Sequence, residues 1–186
     1  MSKLKISFLI LVALFAGVAY AESPATGHIA GKAYINPYFH LSYTWPAMLA
    51  PVKLSSADAE RNNPKAYEFV LFSAQQGSQP YGLVMVAQKL NVAGPHSAGV
   101  KSSADMIDRL THSLRPGPIL SNFARSQKKN ARGMVFDELT YLMNGKPSSV
   151  MATQVGQYLI VFKCNAQSAG DMAQMEKSAL AMRVAK

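Results

Sequence analysis

The sequence predicts an α/β fold of the α+β type, an α/β/α sandwich in which a central antiparallel sheet is covered by helices on both faces. Apolar, β-branched and aromatic runs of strand length follow one another in pairs separated by short turn signals, which is typical of hairpins. Three segments with the apolar spacing of a helix are spread between these runs. Several runs are apolar at successive positions, so both faces of the sheet need cover, and helices are expected to supply it.

Residues 1–21 are predicted to be a secretory signal peptide. Two lysines precede an apolar run at 6–18, and small residues stand at the end of the segment. A signal peptidase recognises this combination, and we expect it to cleave between Ala21 and Glu22. A permanent membrane anchor is the alternative, but the apolar run is shorter than the ~20 residues that span a bilayer. We therefore expect an exported protein, periplasmic or extracellular, with no transmembrane span in the mature chain.

The remaining chain has the size of one domain. Removing 21 of the 186 residues leaves 165, which is enough for one substantial core. We expect a flexible lead-in at 22–33, rich in glycine and small residues, and a single domain over 34–186. Cys164 is the only cysteine, so no intramolecular disulfide can form and the core must supply the stability.

The chain is basic, with a formal net charge of +9, which becomes +7 without the two lysines of the signal peptide. Such an excess can attract an anionic surface of lipid, cell-wall polymer or nucleic acid. The alternative, which we favour, is a solvated basic surface without a dedicated partner.

The first strand is predicted within YINPYFHLSYTWP, residues 34–46. Phe39, Leu41 and Tyr43 alternate with polar residues there, as on a strand with one buried face. Proline follows and ends the strand, because it supplies no amide hydrogen to a ladder. A short helix is then expected at 55–61, where a serine can act as the N-cap.

The middle of the chain predicts two strands and a helix. The strands cover 66–75 and 81–90 and are joined by a turn at 76–80. The helix covers 102–114, where a serine cap precedes apolar residues that recur every four positions. The segment RPGP at 115–118 ends this helix.

The C-terminal half predicts four strands and a final helix. The strands are expected within 119–127, 133–143, 148–156 and 157–166. Asn144 and Gly145 separate the second and third strands, and both suit the positive φ angles of a type I′ turn. The helix covers 168–183, with Ser168 as its cap and a methionine stripe that is expected to face the sheet.

The opening pattern of Asn36, Tyr38–Phe39 and Leu41–Tyr43, with a proline soon after, resembles the beginning of PsbP-like domains, the family of the extrinsic PsbP subunit of photosystem II. The order of elements over 34–184 is also similar. The resemblance implies an α/β/α sandwich that binds protein partners rather than a catalyst, and it assigns no functional residue and no cofactor. Because no long basic extension precedes the first strand, the chain is more similar to secreted bacterial relatives than to photosynthetic members.

No motif in the sequence predicts a catalytic, metal or cofactor site. The four histidines, His28, His40, His96 and His112, include no pair at the helical spacing of zinc ligands. A metal site assembled only in three dimensions is the alternative. There is no nucleophile elbow and no glycine-rich phosphate loop.

Three further side chains are of types that act in catalysis, namely Cys164, Asp137 and Glu138. Cys164 alternates with apolar residues, which favours a buried core position over a nucleophile. Asp137 and Glu138 are adjacent, and on a strand they would point to opposite faces and could not act as a catalytic pair. We therefore predict no catalytic residue.

The densest charge is in RSQKKNARG, which contains Arg125, Lys128, Lys129 and Arg132. On a turn between strands, these four side chains would form one positive surface able to contact phosphates or an acidic partner. The alternative, which we favour, is a solvated hairpin. Only Phe123 lies close by, so the aromatic platform of a nucleic-acid reader is missing and nucleic acid is not the expected partner.

These observations favour an exported, non-enzymatic binding or assembly module that contacts a protein partner in the cell envelope. The alternative is a small envelope hydrolase, or another enzyme, whose site is assembled from dispersed polar residues. A third hypothesis is a basic protein that binds lipids or wall polymers and loses that binding as salt rises.

Overall fold

The computed structural model describes residues 23–54, 67–93 and 99–185. The predicted signal peptide with its cleavage point at Ala21 and Glu22 lies outside the described residues. The same is true of the short helix expected at 55–61 and of His96.

The described residues form eleven strands and two helices. The strands are β1 His28–Ala30, β2 Ala33–Asn36, β3 Leu41–Thr44, β4 Ala50–Pro51, β5 Glu68–Gln75, β6 Gly82–Lys89, β7 Leu120–Lys129, β8 Val135–Met143, β9 Lys146–Val155, β10 Tyr158–Asn165 and β11 Arg183–Val184. The helices are α1 Ser103–Ser113 and α2 Ala169–Leu180.

The prediction of an α/β/α sandwich is wrong, because the described chain is mostly β and is built from two antiparallel sheets with two short helices. The small sheet has the order β1-β2-β3-β11, and the large sheet has the order β4-β5-β6-β10-β9-β8-β7. Both sheets contribute to one apolar core. The small sheet thus supplies part of the cover that we had expected from helices alone.

The physical reason for this error lies in the segment 34–46, which folds as two strands of the small sheet and a turn between them. The ring of Pro37 restricts its φ angle to a value that suits a turn. The N–H of His40 donates to the carbonyl oxygen of Pro37 at 3.0 Å. The Asn36 side-chain oxygen accepts from the N–H of Phe39 at 3.2 Å. Phe39 therefore lies in the turn, and β3 begins only at Leu41.

The two faces of the large sheet have different covers. On one face the small sheet and α2 pack on β10, where Tyr43 meets Phe162 with ring centroids 5.2 Å apart. On the other face α1 packs through Ile107, which is buried with Leu139 and Val161. The predicted alternation of β10 is confirmed, because Phe162 and Val161 lie in different core clusters.

Regular structure begins before the expected lead-in ends. We predicted that 22–33 would be flexible and that order would start near Tyr34, but β1 lies within that range and pairs with β2, His28 opposite Ile35. The side-chain amide of Asn36 also donates to the carbonyl of Pro24 at 2.8 Å.

The predicted starts of the two helices and one predicted hairpin turn are confirmed. The Ser102 and Ser168 hydroxyls each accept from a backbone N–H three residues later, at 3.1 Å, and cap α1 and α2 as predicted. Asn144 and Gly145 have φ angles of 52° and 72°, which confirms the predicted turn between β8 and β9.

Candidate functional site

A surface groove lies at one end of the large sheet, where β9 turns into β10 and the C-terminal β11 runs alongside. It consists of two adjoining cavities of about 470 and 480 Å³, each within the size range of small-molecule sites. We call this feature the sheet-end groove. Its two cavities share the lining residues Val155, Gly156, Val184 and Ala185.

The two cavities differ in chemistry, and we call them the aromatic half and the arginine half. The aromatic half is also lined by Tyr38, Phe39, His40, Gln157 and Tyr158. The arginine half is also lined by Arg132, Met134 and Gln154.

Two turns position the side chains of the aromatic half. The turn that follows β2 places Tyr38 and Phe39 side by side, and it ends at His40 with a φ of 48°, a left-handed conformation that is uncommon outside glycine. The turn between β9 and β10 contains Gly156, with a φ of 58°, and it places Tyr158 at the start of β10.

Three aromatic rings of this half form a mutually edge-to-face cluster. The ring centroids of Tyr38 and Phe39 are 4.9 Å apart, those of Phe39 and Tyr158 are 5.2 Å apart, and those of Tyr38 and Tyr158 are 5.8 Å apart. The interplanar angles are 82°, 78° and 90°. Phe39 is buried and Tyr38 is 37% exposed, so a buried ring supports an exposed one in a favoured aromatic geometry.

The hydroxyl of Tyr158 stays protonated at neutral pH. Burial, followed by the hydrogen bond with Tyr38, raises the pKa of Tyr158 to about 12. The two hydroxyl oxygens are 3.4 Å apart. Because Tyr158 stays protonated, it cannot act as a general base near pH 7.

The described residues that line the groove include no carboxylate, serine, threonine or cysteine. A small envelope hydrolase that uses a side-chain nucleophile needs that nucleophile next to a base. Among the lining side chains, His40 is of the type that most often acts as a general base, and the groove places no such nucleophile with it.

The structure does not bring the four predicted cationic residues into one surface. Arg125, Lys128 and Lys129 lie on β7, and only Arg132 lies in the turn that follows. Side chains alternate between the two faces of a strand, so Arg125 and Lys129 point to one face and Lys128 points to the other. We had placed all four on a turn, where no such alternation applies.

Two of the four cations are held by ion pairs with carboxylates. Arg125 binds Asp108 of α1 on the exposed surface. Lys128 lies on the α2 side, where its Nζ is 2.7 Å from a carboxylate oxygen of Glu138 and 2.7 Å from one of Glu176.

Hydrogen bonds hold Lys128 and Glu138 in their charged forms. Burial alone would lower the pKa of Lys128, but hydrogen bonds to Glu138 and Glu176 outweigh it, and the pKa is raised. Burial likewise opposes ionisation of Glu138, but hydrogen bonds from Lys128, Ser126 and Ser149 lower its pKa. Glu138 is 1% exposed, and an ion so buried is stable only with such partners.

Asp137 and Glu138 point to opposite faces of β8, as the sequence predicted. Asp137 accepts a hydrogen bond of 2.5 Å from the hydroxyl of Ser103 in α1, whereas Glu138 faces Lys128. Cys164 is buried in the core as expected, and burial raises the pKa of its thiol well above the ordinary value.

Within the described ranges, no three His, Cys, Asp or Glu side chains converge as a metal site would require. No helix in the same ranges is long and apolar enough to cross a membrane.

Of the predicted contact residues, Arg132 lies in the sheet-end groove. The aromatic residues of the groove were not predicted as a site, because Tyr38 and Tyr158 are 120 residues apart in the chain. The signal that could have found half of it is the aromatic density of 34–46, which we interpreted as a core strand.

The two stacked sheets and the groove at their common end define a mostly β domain with a PsbP-like fold. This fold is shared with the solution structure of cyanobacterial PsbP (CyanoP) from Synechocystis sp. PCC 6803, at a TM-score of 0.51. The similarity covers 86% of this chain and 99% of that chain, at 13% sequence identity, and it shows the fold alone. No protein-family model matches the sequence, and no curated protein is significantly similar to it.

Proposed function

We propose that this chain is an exported, non-enzymatic binding or assembly module that contacts a protein partner in the cell envelope through the sheet-end groove. The observation that carries the proposal is the aromatic cluster of Tyr38, Phe39 and Tyr158. An exposed tyrosine on a rigid aromatic support is typical of the residues that dominate protein interfaces. The resemblance to PsbP-like domains supports the same class of function, because that family binds protein partners.

Export is supported by the first residues of the chain. A basic start, a short apolar run and small residues before Glu22 form the pattern of a cleaved signal peptide. The partner is therefore expected outside the cytoplasmic membrane.

Neither alternative gains support from the groove. The hydrolase hypothesis lacks a nucleophile among the lining residues. Binding to anionic surfaces by one cationic cluster loses its basis, because Arg125 and Lys128 are engaged in ion pairs.

Photo-crosslinking in living cells tests the proposal. The photoreactive residue p-benzoylphenylalanine replaces Tyr38 in the groove, and in a matched control it replaces Tyr81 at the opposite end of the large sheet. We expect Tyr38→p-benzoylphenylalanine to give a discrete crosslinked envelope protein, identified by mass spectrometry, and the control to give none. A second groove variant at Gln157 is expected to capture the same protein.

Two results would overturn the proposal. The first is the absence of any crosslinked protein at both Tyr38 and Gln157, or capture at Tyr81 alone. The second is a hydrolytic activity of the purified chain that is lost in His40→Ala, because this would make the groove a catalytic site.

A further inference from the structure

The last strand of the small sheet leaves one edge open beside the groove. β11 pairs with β3, Arg183 opposite Ser42 and Val184 opposite Leu41, and the N–H of Ala185 donates to the carbonyl of His40 at 3.0 Å. Hydrogen-bonded and non-hydrogen-bonded pairs alternate along an antiparallel ladder. Val184 is therefore a non-hydrogen-bonded position, and its own N–H and C=O point away from β3.

This open edge borders the arginine half of the sheet-end groove. Val184 and Ala185 line that half. The residues that line only the arginine half belong to the large sheet and to its β7–β8 turn, and they are Arg132, Met134 and Gln154. The Val184 side chain packs on the core, and this contact fixes the position of the edge. A free strand edge of this kind can accept the backbone of an extended peptide.

Among the described residues, the groove carries a positive charge that no carboxylate compensates. Each of the seven carboxylates among the described residues already has a partner: Glu68 with Lys163, Asp105 with Arg109, Asp108 with Arg125, Asp137 with Ser103, Asp171 with Ser168, and Glu138 and Glu176 with Lys128. Arg132 is exposed, and no carboxylate of the described residues lies within ion-pair distance of it. A guanidinium of this kind can bind an external carboxylate with two parallel hydrogen bonds.

The aromatic half adds an apolar contact at a short distance along the same groove. The two halves meet at Val155, Gly156, Val184 and Ala185. A peptide that passes Val184 thus has Arg132 on one side and the exposed ring of Tyr38 further along.

We propose that the sheet-end groove binds an extended, acidic peptide segment of its partner by strand addition to β11. The backbone of the segment pairs with Val184, a carboxylate binds Arg132, and an apolar side chain packs on Tyr38 and Tyr158. This inference rests on the proposed function and specifies the partner chemistry for the same groove.

A second copy of this chain is a poor occupant by charge. Its long exposed edge is β7, on which Lys129 is exposed and has no carboxylate partner among the described residues, and docking this edge in the groove would bring a like charge to Arg132. Charge complementarity favours an acidic segment instead.

Two synthetic peptides test the inference. They are acetyl-Asp-Val-Phe-Val-Asp-amide and its counterpart with lysine in place of both aspartates, titrated into the ¹⁵N-labelled mature chain and followed by NMR. We expect the acidic peptide to shift the amide signals of Val184, Ala185 and Gly156, and the basic peptide to bind at least tenfold more weakly. Equal binding of both peptides, or shifts confined to other surfaces, would overturn the inference.

Matched variants separate the two kinds of contact. Arg132→Gln is expected to weaken the acidic peptide about fivefold, whereas Lys146→Gln, which removes an exposed charge at the opposite end of the large sheet, should change affinity less than twofold. Tyr38→Ala is expected to weaken both peptides. Equal effects of Arg132→Gln and Lys146→Gln would contradict the assigned role of Arg132.

The backbone pairing has its own test. Two versions of the acidic peptide are N-methylated at alternate amides, one at the odd-numbered and the other at the even-numbered positions. In one version the amide that faces Val184 carries a methyl group and cannot donate to the Val184 carbonyl. We expect one version to lose at least fivefold in affinity, and unchanged affinity of both would exclude strand addition.

The outcomes distinguish this inference from the proposed function. If Tyr38→p-benzoylphenylalanine captures an envelope protein while neither peptide binds, strand addition fails and the binding function stands. If neither experiment shows binding, both fail. Self-association of the chain that shifts the same Val184 signals would assign the groove to a second copy and overturn the inference.

Discussion

The Nζ of Lys128 lies 2.7 Å from a carboxylate oxygen of Glu138, a side chain that is 1% exposed to solvent. Lys128 belongs to the edge strand β7, and Glu138 to its neighbour β8. Because Glu176 of α2 binds the same ammonium group at 2.7 Å, the contact fastens α2 to the edge of the large sheet. Lys128, one of the four cations predicted as a possible partner contact, thus has a structural role.

Replacing Lys128 should destabilise the fold more than replacing its neighbour on the strand. Lys128→Met leaves Glu138 buried without its cation, and we expect a loss of about 2–3 kcal/mol, below the full cost of a wholly buried pair because Lys128 is partly exposed. Arg125→Met breaks an exposed pair and should cost less than about 1 kcal/mol. Urea denaturation of both variants measures the free energies of unfolding, and equal losses would contradict the assignment.

The ion pair between Lys128 and Glu138 also predicts a stability that falls in acid. The pKa of Glu138 is lower in the folded chain than its ordinary value of 4.5, so its stabilising contribution is present above about pH 4.5 and is lost as pH falls towards the folded pKa. We expect the unfolding free energy of the wild type to fall below pH 4.5 more steeply than that of Glu138→Gln. Parallel curves for the two proteins would show that Glu138 is not the group responsible.

Gly82 is expected to tolerate no side chain. A Cβ at this position would lie 2.2 Å from the main-chain oxygen of Ala74 on the adjacent strand, and backbone cannot move aside as a flexible side chain can. Gly82→Ala should destabilise the fold by about 2 kcal/mol or more. Gly117→Ala is the control, since no atom lies within 4 Å of its added Cβ. A thermal melt in which both variants behave alike would contradict this account.

Signal cleavage is predicted to remove residues 1–21. Intact-mass measurement of the protein recovered from the cell envelope or medium should show a chain that begins at Glu22. Ala21→Arg places a large charged side chain in a peptidase site that accepts small residues, and we expect the uncleaved precursor to accumulate. Thr26→Arg, beyond the site, should be processed normally. A mature protein that retains its first residues would favour the anchor alternative.

Features governed by neighbouring residues could be predicted from the sequence. The N-caps Ser102 and Ser168 act on amides three residues away, and Asn144–Gly145 needs only its own φ angles. The alternation along β10 likewise follows from strand geometry. None of these features depends on which element packs opposite.

The arrangement of the sheets could not be predicted in the same way. Alternation in 34–46 shows that Tyr43 and Leu41 are buried, but it does not say whether helix or sheet covers them. We also underestimated the Asn36–Pro37 turn signal, which divides this segment in two. For the basic segment, we predicted a turn on which Lys128 would project into solvent. The segment is a strand instead, and Lys128 lies against the carboxylates of Glu138 and Glu176.

Residues a few positions apart are enough to predict the helix caps, the hairpin turn and the buried faces of single strands, and they carry the pattern of the predicted signal peptide. Tertiary structure decided the second sheet and the sheet-end groove. Tyr38, Arg132, Tyr158 and Val184 come from four separate parts of the chain, and only the packing of the small sheet on the large one brings them together. Such contacts depend on the energy of the whole core, which no local pattern encodes.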